Sequence, residues 1–429
     1  MIIYQVLPRL WGRGKLSDWQ DPAFAHLRSL GCDAVWYTGI IRHSAGKPYV
    51  KGTAGSPYSI VDYRDVNPYL ADNPAERMKE FEGLVARTHA AGLRVFIDFV
   101  PNHVSPDCRD VPVHPWCDFD WTDTRKVDYS RREAWDDMLA IALFWASKGV
   151  DGFRCDMVEL VPPEFLSWLI RSVREAFPGF IFIGEAYEKG NYFRFIRELG
   201  FDYLYDKSGF YDITREILCH GRSASALTAN WQWQGPVQGS MLNFLENHDE
   251  QRLASPFFAG SPARGYAALA YGALFGEASF MIYAGQELGE TAAGGYEGRT
   301  SIFDFTTVPT LSHLWSHISE GRRLPPAEAR VLARYKAILA YAGKFRGLRN
   351  WDLCYCQAAS GGFNPSRHSA FARFDGSRAW VVLCNFSPEP AAAEINIPDE
   401  LRALCAPFAR LSGSLSLSAA PFDAAVLKL

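Results

Sequence analysis

The sequence predicts an α/β protein: a closed (β/α)8 barrel, a short loop subdomain after its third strand, and an antiparallel β-sandwich behind it. Three observations carry this reading. Eight short apolar runs alternate with helix-like segments through about the first 345 residues, and that alternation closes into a barrel more readily than into an open sheet. Acidic residues recur at the carboxyl ends of four of those runs. From about Lys344 the texture changes to short, partly alternating runs punctuated by Gly, Ser and Pro.

In chain order the candidate strands are Ile2–Val6, Ala34–Tyr37, Arg94–Phe99, Gly152–Met157, Phe180–Gly184, Asp202–Tyr205, Met241–Leu245 and Phe280–Tyr283. After Asp72 and Asn73, Pro74 stands at a first helical position, followed by Met78, Phe81, Leu84 and Val85 at helical spacing and by Gly92 past the end. Pro162 and Pro163 open another helix, with Phe165, Leu166, Leu169, Ile170 and Val173 on one face and Pro178-Gly179 as its stop. The glycine fingerprint of dinucleotide binding is missing, which also speaks against an open doubly wound sheet.

Asp98, Asp156, Glu185 and Asp249 fall at or just past the ends of runs three, four, five and seven. Asp156 and Glu185 are 29 residues apart, and Glu185 and Asp249 are 64 apart, near two units of that size. Asp98 and Asp156 are 58 apart, so roughly one unit is inserted between them, over 104–128. The catalytic barrel is assigned to 1–343, with 104–128 as the inserted subdomain, and the sandwich to 344–429. Within the sandwich, "SGSLSLSAA" reads as an edge strand with its turn.

The chain has 429 residues, is 48% hydrophobic and 21% charged, and has a net charge of −4. Ample core is available, and no basic field exists for nucleic acid or an anionic membrane. No run approaches the roughly 18 apolar residues of a membrane span. The opening "MIIYQVLPRLW" has neither a positive n-region nor a long apolar h-region, so a cytoplasmic protein is expected. Nine cysteines, an odd number in mostly apolar surroundings, read as reduced packing residues.

Barrel enzymes carry their chemistry at the carboxyl ends of the strands. That end collects Asp98, Asn102 and His103 from run three, Arg154 and Asp156 from run four, Glu185 from run five, and Asn247, His248 and Asp249 after run seven. Carboxylates so gathered repel one another, so a purely structural role is a poor explanation. No metal-ligand set emerges; "HLWSH" at 313–317 lacks the acid that metalloprotease chemistry needs. Paired carboxylates without a metal suggest glycoside chemistry, in which one acid protonates the leaving oxygen and the other attacks the sugar carbon.

Four motifs in order, "DFVPNH" (98–103), "GFRCDMV" (152–158), "IGEAY" (183–187) and "FLENHDE" (244–250), resemble those of the α-amylase family of retaining glycosidases. "IYQVLPRLWG", "DAVWYTGI", "SPYSIVDYRDVNP" and "MIYAGQELG" extend the resemblance over about residues 2–345. The resemblance implies Asp156 as nucleophile, Glu185 as general acid/base and Asp249 as a carboxylate that binds sugar hydroxyls. It implies Arg154 beside Asp156, Asp98 supporting that arginine, His103 and His248 on hydroxyls near the scissile bond, and Tyr58 as the platform under the reacting sugar. Such chemistry calls for a raised Glu185 pKa, a lowered Asp156 pKa and carboxyl groups about 5–5.5 Å apart.

Two positions leave the family pattern. Where many members carry a lysine followed by a histidine, this chain has Glu159 and Leu160, and Glu159 reads as a rim charge. Members often bind calcium through the asparagine matching Asn102, with partners from a longer insertion and that histidine. Here the insertion is short and Leu160 has no ligating side chain, so no cofactor is expected and Asn102 is the one candidate calcium ligand. Trp121, Trp231, Trp233 and Tyr187 are candidate sugar platforms, and His43 and Arg252 are further candidates near the mouth.

The expected activity is hydrolysis of an α-linked glucan or malto-oligosaccharide, with no nucleic acid and no membrane as partner. A transglycosylase or glucosyl isomerase would use the same site. A non-catalytic carbohydrate-binding or accessory barrel is the reading from another class; relatives of that kind lose the acids, and all three acids stand here.

Overall fold

The computed structural model describes residues 1–119, 121–300, 302–303 and 307–429; residue 120 of the expected insertion lies outside that set. Eight parallel strands close into a barrel of the TIM type: β1 (Ile2–Val6), β2 (Ala34–Tyr37), β3 (Arg94–Phe99), β4 (Gly152–Cys155), β5 (Ile181–Gly184), β6 (Tyr203–Tyr205), β7 (Met241–Phe244) and β8 (Ser279–Tyr283). Each pairs with its sequence neighbours, and β8 returns to β1. All eight predicted runs are strands, mostly apolar and largely buried on both faces, the mark of a parallel sheet.

Register decides what shares the barrel mouth. Asp98 on β3 is the partner of Arg154 on β4, and Arg154 is the partner of Ile183 on β5. The ladder runs one step past the strands, with Asp156 N–H donating to Phe99 O (2.9 Å) and Glu185 N–H to Cys155 O (3.0 Å). Strand four is thus shorter than expected: the backbone leaves it at Asp156 and turns left-handed at Met157 (φ 46°, ψ 44°).

The helix over Pro163–Ala176 buries the five apolar residues expected of it. The helix predicted from Pro74 instead opens with a 3-10 turn, Pro74–Glu76, before the α-helix Arg77–Ala90. Asn73 Oδ1 caps that turn by accepting from Ala75 N–H (3.1 Å). After β5 the helical segment is short, Tyr192–Arg194, and continues as a π turn, Phe195–Leu199, stopped by Gly200 at φ 95°. The segment over 104–128 is mostly irregular, tied by a small ladder between His103–Val104 and Arg125–Lys126 and by a Val113–Val127 bridge.

Behind the barrel lie six antiparallel strands, β9 (Arg349–Asp352), β10 (His368–Phe374), β11 (Ala379–Asn385), β12 (Ala391–Ile395), β13 (Leu415–Ala419) and β14 (Ala424–Lys428). They form a four-stranded sheet, β9-β10-β11-β14, and a pair, β12-β13, in which buried and exposed residues alternate. The low-complexity stretch becomes β13, paired with β12 alone. This unit has an apolar core of its own, including Leu353, Phe374, Leu383, Ile395 and Phe408. Arg373 on β10 joins it to the barrel by donating to the carbonyl of Leu274 (3.0 Å), and it also donates to those of Phe345 and Leu348 at 2.9–3.0 Å. The nine cysteines are free, and among the described residues no helix is long and apolar enough to cross a membrane.

Gly152 is required by packing rather than by its backbone angles. A Cβ there would sit 2.5 Å from Ile181 O and 3.0 Å from the Phe96 ring, inside the closed barrel. Gly343, in the helix Pro326–Phe345, meets nothing within 4 Å. Gly152→Ala should therefore destabilise by about 1–3 kcal/mol, and Gly343→Ala should stabilise by about 0.5–1 kcal/mol. Urea unfolding of both variants checks the opposite signs.

Candidate active site

The site is organised around Arg154, which is fully buried on β4. Its Nη1 is hydrogen-bonded to Asp156 Oδ1 and lies 3.9 Å from Asp98 Oδ1, while its Nη2 is 2.8 Å from Glu185 Oε1. The guanidinium also faces the rings of Trp36, Tyr58 and Tyr205 at 5.4–5.5 Å. An arginine placed this way has its charge met by carboxylates and ring faces rather than by water.

Glu185 gains two further donors, Met157 N–H to Oε2 (2.8 Å) and Tyr187 O–H to Oε1 (2.9 Å). The first comes from the left-handed residue just after Asp156, so the turn that ends β4 also orients the neighbouring acid. Asp98 accepts from Tyr58 O–H and from Gly39 N–H, both at 3.2 Å. Gln5 on β1 meets His248 Nδ1 at 2.7 Å. With the Gln5 amide donating there, the ring proton lies on Nε2, between Tyr58 Oη (2.5 Å) and Asp249 Oδ2 (3.0 Å). The Tyr58 ring stacks on His248, with centroids 5.3 Å apart. Asn247 Oδ1 shapes the loop by accepting from the N–H groups of Asp249 and Glu250.

Burial sets most of the titration behaviour. It pushes Glu185 up to about 7, against the pull of Arg154, and the negative charges of Asp156 and Asp249 add to the rise. It raises Asp156 as well, which corrects the expectation of a lowered nucleophile: removal of the carboxyl from water outweighs the Arg154 charge and hydrogen bond. Burial likewise raises Asp98, with Arg154 and His248 offsetting part of it. Burial would also raise Asp249, but His248, then Arg154 and Arg299, outweigh it and the carboxyl sits below its ordinary value. Its side chain keeps 38% exposure, which leaves it open to a ligand. Burial takes His103 down to about 4.

The structure therefore brings together Asp98, Arg154, Asp156, Glu185, His248, Asp249 and Tyr58. His103 is buried at the base of the loop over 104–128, with Trp121 edge-on to it at 5.2 Å. Of the other candidates, Tyr187 joins the site through Glu185. Trp233 is exposed and stacks with Lys189, while Trp231 packs on Phe275 in the core. His43 is buried between Asn67 and Tyr69, and Arg252 is buried against Glu246 (2.9 Å), Ala284 O and the Tyr283 ring. Both are internal anchors. Glu159 is no free rim charge: it accepts from Tyr187 N–H (2.9 Å), Glu188 N–H (3.1 Å) and Asn191 Nδ2–H (2.9 Å), clamping the loop after β5.

Gln5, Trp36 and Tyr205 were not among the sequence candidates; their signal is only that they are large polar or aromatic residues within barrel strands. A cavity of about 180 Å³ lined by Met1, Asp33, Arg346 and Arg373 lies at the opposite end of the barrel and holds none of these carboxylates.

Glu185 binds its proton more tightly in the folded protein, at about 7, than at its ordinary 4.5. Its contribution to stability is fully present below 4.5 and is lost as pH rises through 7. Glu185→Gln should therefore be more stable than wild type at pH 8 and no more stable at pH 4. Denaturant midpoints at the two pH values check this; a difference independent of pH would contradict it.

An alpha-amylase catalytic-domain family model matches residues 23–111. The alpha-1,4-glucan:maltose-1-phosphate maltosyltransferase of Cereibacter sphaeroides is 28% identical over 214 residues, 42% of this chain and 34% of that protein. The cyclomaltodextrinase of Geobacillus thermopakistaniensis is 22% identical over 410 residues, covering 88% of this chain and 63% of that protein. The match spans about a third of the length of the maltosyltransferases. Among solved structures, the cyclic alpha-maltosyl-(1→6)-maltose hydrolase of Arthrobacter globiformis superposes with a TM-score of 0.76 at 18% identity, covering 100% of this chain and 98% of that one. The alpha-amylase catalytic-domain model thus matches one part of the chain, and the solved structures share its fold.

Proposed function

We propose that the protein is a retaining α-glycosidase that cleaves α-linked glucans or malto-oligosaccharides through a covalent glycosyl-enzyme intermediate. The observation that carries this reading is the pair Asp156 and Glu185, held on one buried guanidinium with different surroundings. Two carboxyl groups on one guanidinium are neighbours, which supports the closer pairing of retaining chemistry over the wider one of an inverting site.

Asp156 attacks the anomeric carbon while Glu185, protonated near pH 7, gives its proton to the leaving glycosidic oxygen. Arg154 favours the ionised form of Asp156 and aims its oxygen. Glu185, now a carboxylate, takes the proton of an incoming water, and the ester to Asp156 breaks with the α-configuration restored. Asp249, ionised and partly exposed, meets sugar hydroxyls as positive charge develops on the ring. Tyr58 and His248 form the wall beside it.

The maltosyltransferase relatives favour a second reading, in which a sugar hydroxyl rather than water resolves the same intermediate. Both readings use the same residues and differ in the acceptor.

Incubation with maltose to maltoheptaose, pullulan, sucrose and trehalose, followed by proton NMR, tests the proposal. The first-formed product should be the α-anomer, and Asp156→Asn should lower turnover by more than roughly 10⁴-fold. A β-anomeric first product excludes retention, and a wild type as inactive as Asp156→Asn on every α-glucoside excludes the activity.

A further inference from the structure

The loop over 104–128 is fastened to the barrel mouth by a cation that the chain itself provides. Lys126 Nζ lies 2.7 Å from Asp118 Oδ2 and 3.4 Å from the carbonyl oxygen of Leu160, with the Trp116 ring 5.7 Å away. Asp118 Oδ2 also accepts from Asn102 Nδ2–H at 3.0 Å. One ammonium therefore joins three segments: the chain just after β3, the loop, and the turn that follows Asp156. Lys126 is also the ladder partner of His103, and Val127 N–H donates to Asn102 O at 3.0 Å.

Asn102 is the residue through which the resemblance implies calcium, so its surroundings can be tested for that ion. Calcium takes about 6–8 oxygens at about 2.3–2.6 Å, several of them carboxylate. This cluster offers one carboxylate from Asp118, one carbonyl from Leu160, and Asn102 Oδ1, which is buried without a hydrogen-bond partner. Among the described residues no group of three or more His, Cys, Asp or Glu is placed to hold a metal. Among the described residues the anionic partner of the cluster is Asp118, already paired with an ammonium, so a dication there would face that positive charge across a small ligand set. The residues do not fit calcium.

We infer that Lys126 is the resident cation of this site, docking the loop and the His103 strand onto the turn after Asp156 without a metal. A lysine suits the task as a compact point charge on a flexible stem, with three donors to share among several oxygens. Because the charge is carried covalently, the geometry at the mouth does not depend on free calcium.

Calcium alone, titrated into the wild-type protein by isothermal calorimetry, should give no saturable heat. The thermal midpoint should be unchanged by excess EDTA or excess calcium chloride. Lys126→Met, which keeps the stem and removes the charge, should lower Tm by ~1–3 °C, and Lys126→Arg should restore most of that loss. Lys79→Met, at a highly exposed lysine paired with Glu76 on the surface, should leave Tm unchanged. A saturable calcium site in the wild type, or a fall in its Tm with EDTA, overturns the inference. So does a Lys126→Met protein as stable as wild type without calcium. Should Lys126→Met fail to fold, the wild-type titration still decides.

Discussion

The structure depends on a single buried charge, the Arg154 guanidinium. Taking a cation out of water costs several kcal/mol unless partners replace the lost hydration. Here they are Asp98, Asp156 and Glu185, with the faces of three aromatic rings closing the remaining sides. The dependence is mutual, since three carboxylates could not share this small volume without the cation between them. Burial outweighs the one positive charge they share, so the cluster retains protons above the ordinary carboxyl range. All three acids are raised by burial, and Glu185 reaches about 7. Of these groups Glu185 holds its proton furthest up, because burial and the neighbouring negative charges outweigh the pull of Arg154.

Backbone geometry turns that electrostatic balance into a directional site. Met157 adopts a left-handed conformation that non-glycine residues seldom hold without compensation, and its N–H is used on Glu185. Two residues further on, Glu159 receives three donors from the segment carrying Tyr187, whose hydroxyl returns to Glu185. The turn after β4 and the loop after β5 therefore lock each other, with the acid between them. On the other side of that turn, Leu160 O meets Lys126. Five residues, 156 to 160, connect Asp156, Glu185 and the inserted loop.

Much of this was legible in the sequence. The eight strands were, because parallel strands buried on both faces are written as continuous apolar runs. The convergence of Asp98, Arg154, Asp156, Glu185, His248 and Asp249 was legible too, since closing the barrel brings its strand ends to one mouth. What escaped depended on depth and on backbone shape. A motif shows Arg154 next to Asp156 but not how far both lie from water, so the direction of the Asp156 shift came out reversed. Nothing about a methionine announces a left-handed turn, and Glu159 reads as a rim charge until its partners across the fold are known. Gln5, Trp36 and Tyr205 were hidden inside strands, where an inward-facing polar or aromatic residue looks like core.

The central claim is that the residue paired with Arg154 Nη1 forms the bond to sugar while Glu185 handles the proton. Treating Glu185→Gln protein with an α-maltosyl fluoride tests it most directly, because fluoride leaves without an acid whereas resolution of the intermediate needs the missing base. Peptide mass spectrometry should then find a maltosyl ester on Asp156, in the peptide containing "GFRCDMV". An adduct on another residue, or none while fluoride is released, would contradict the account.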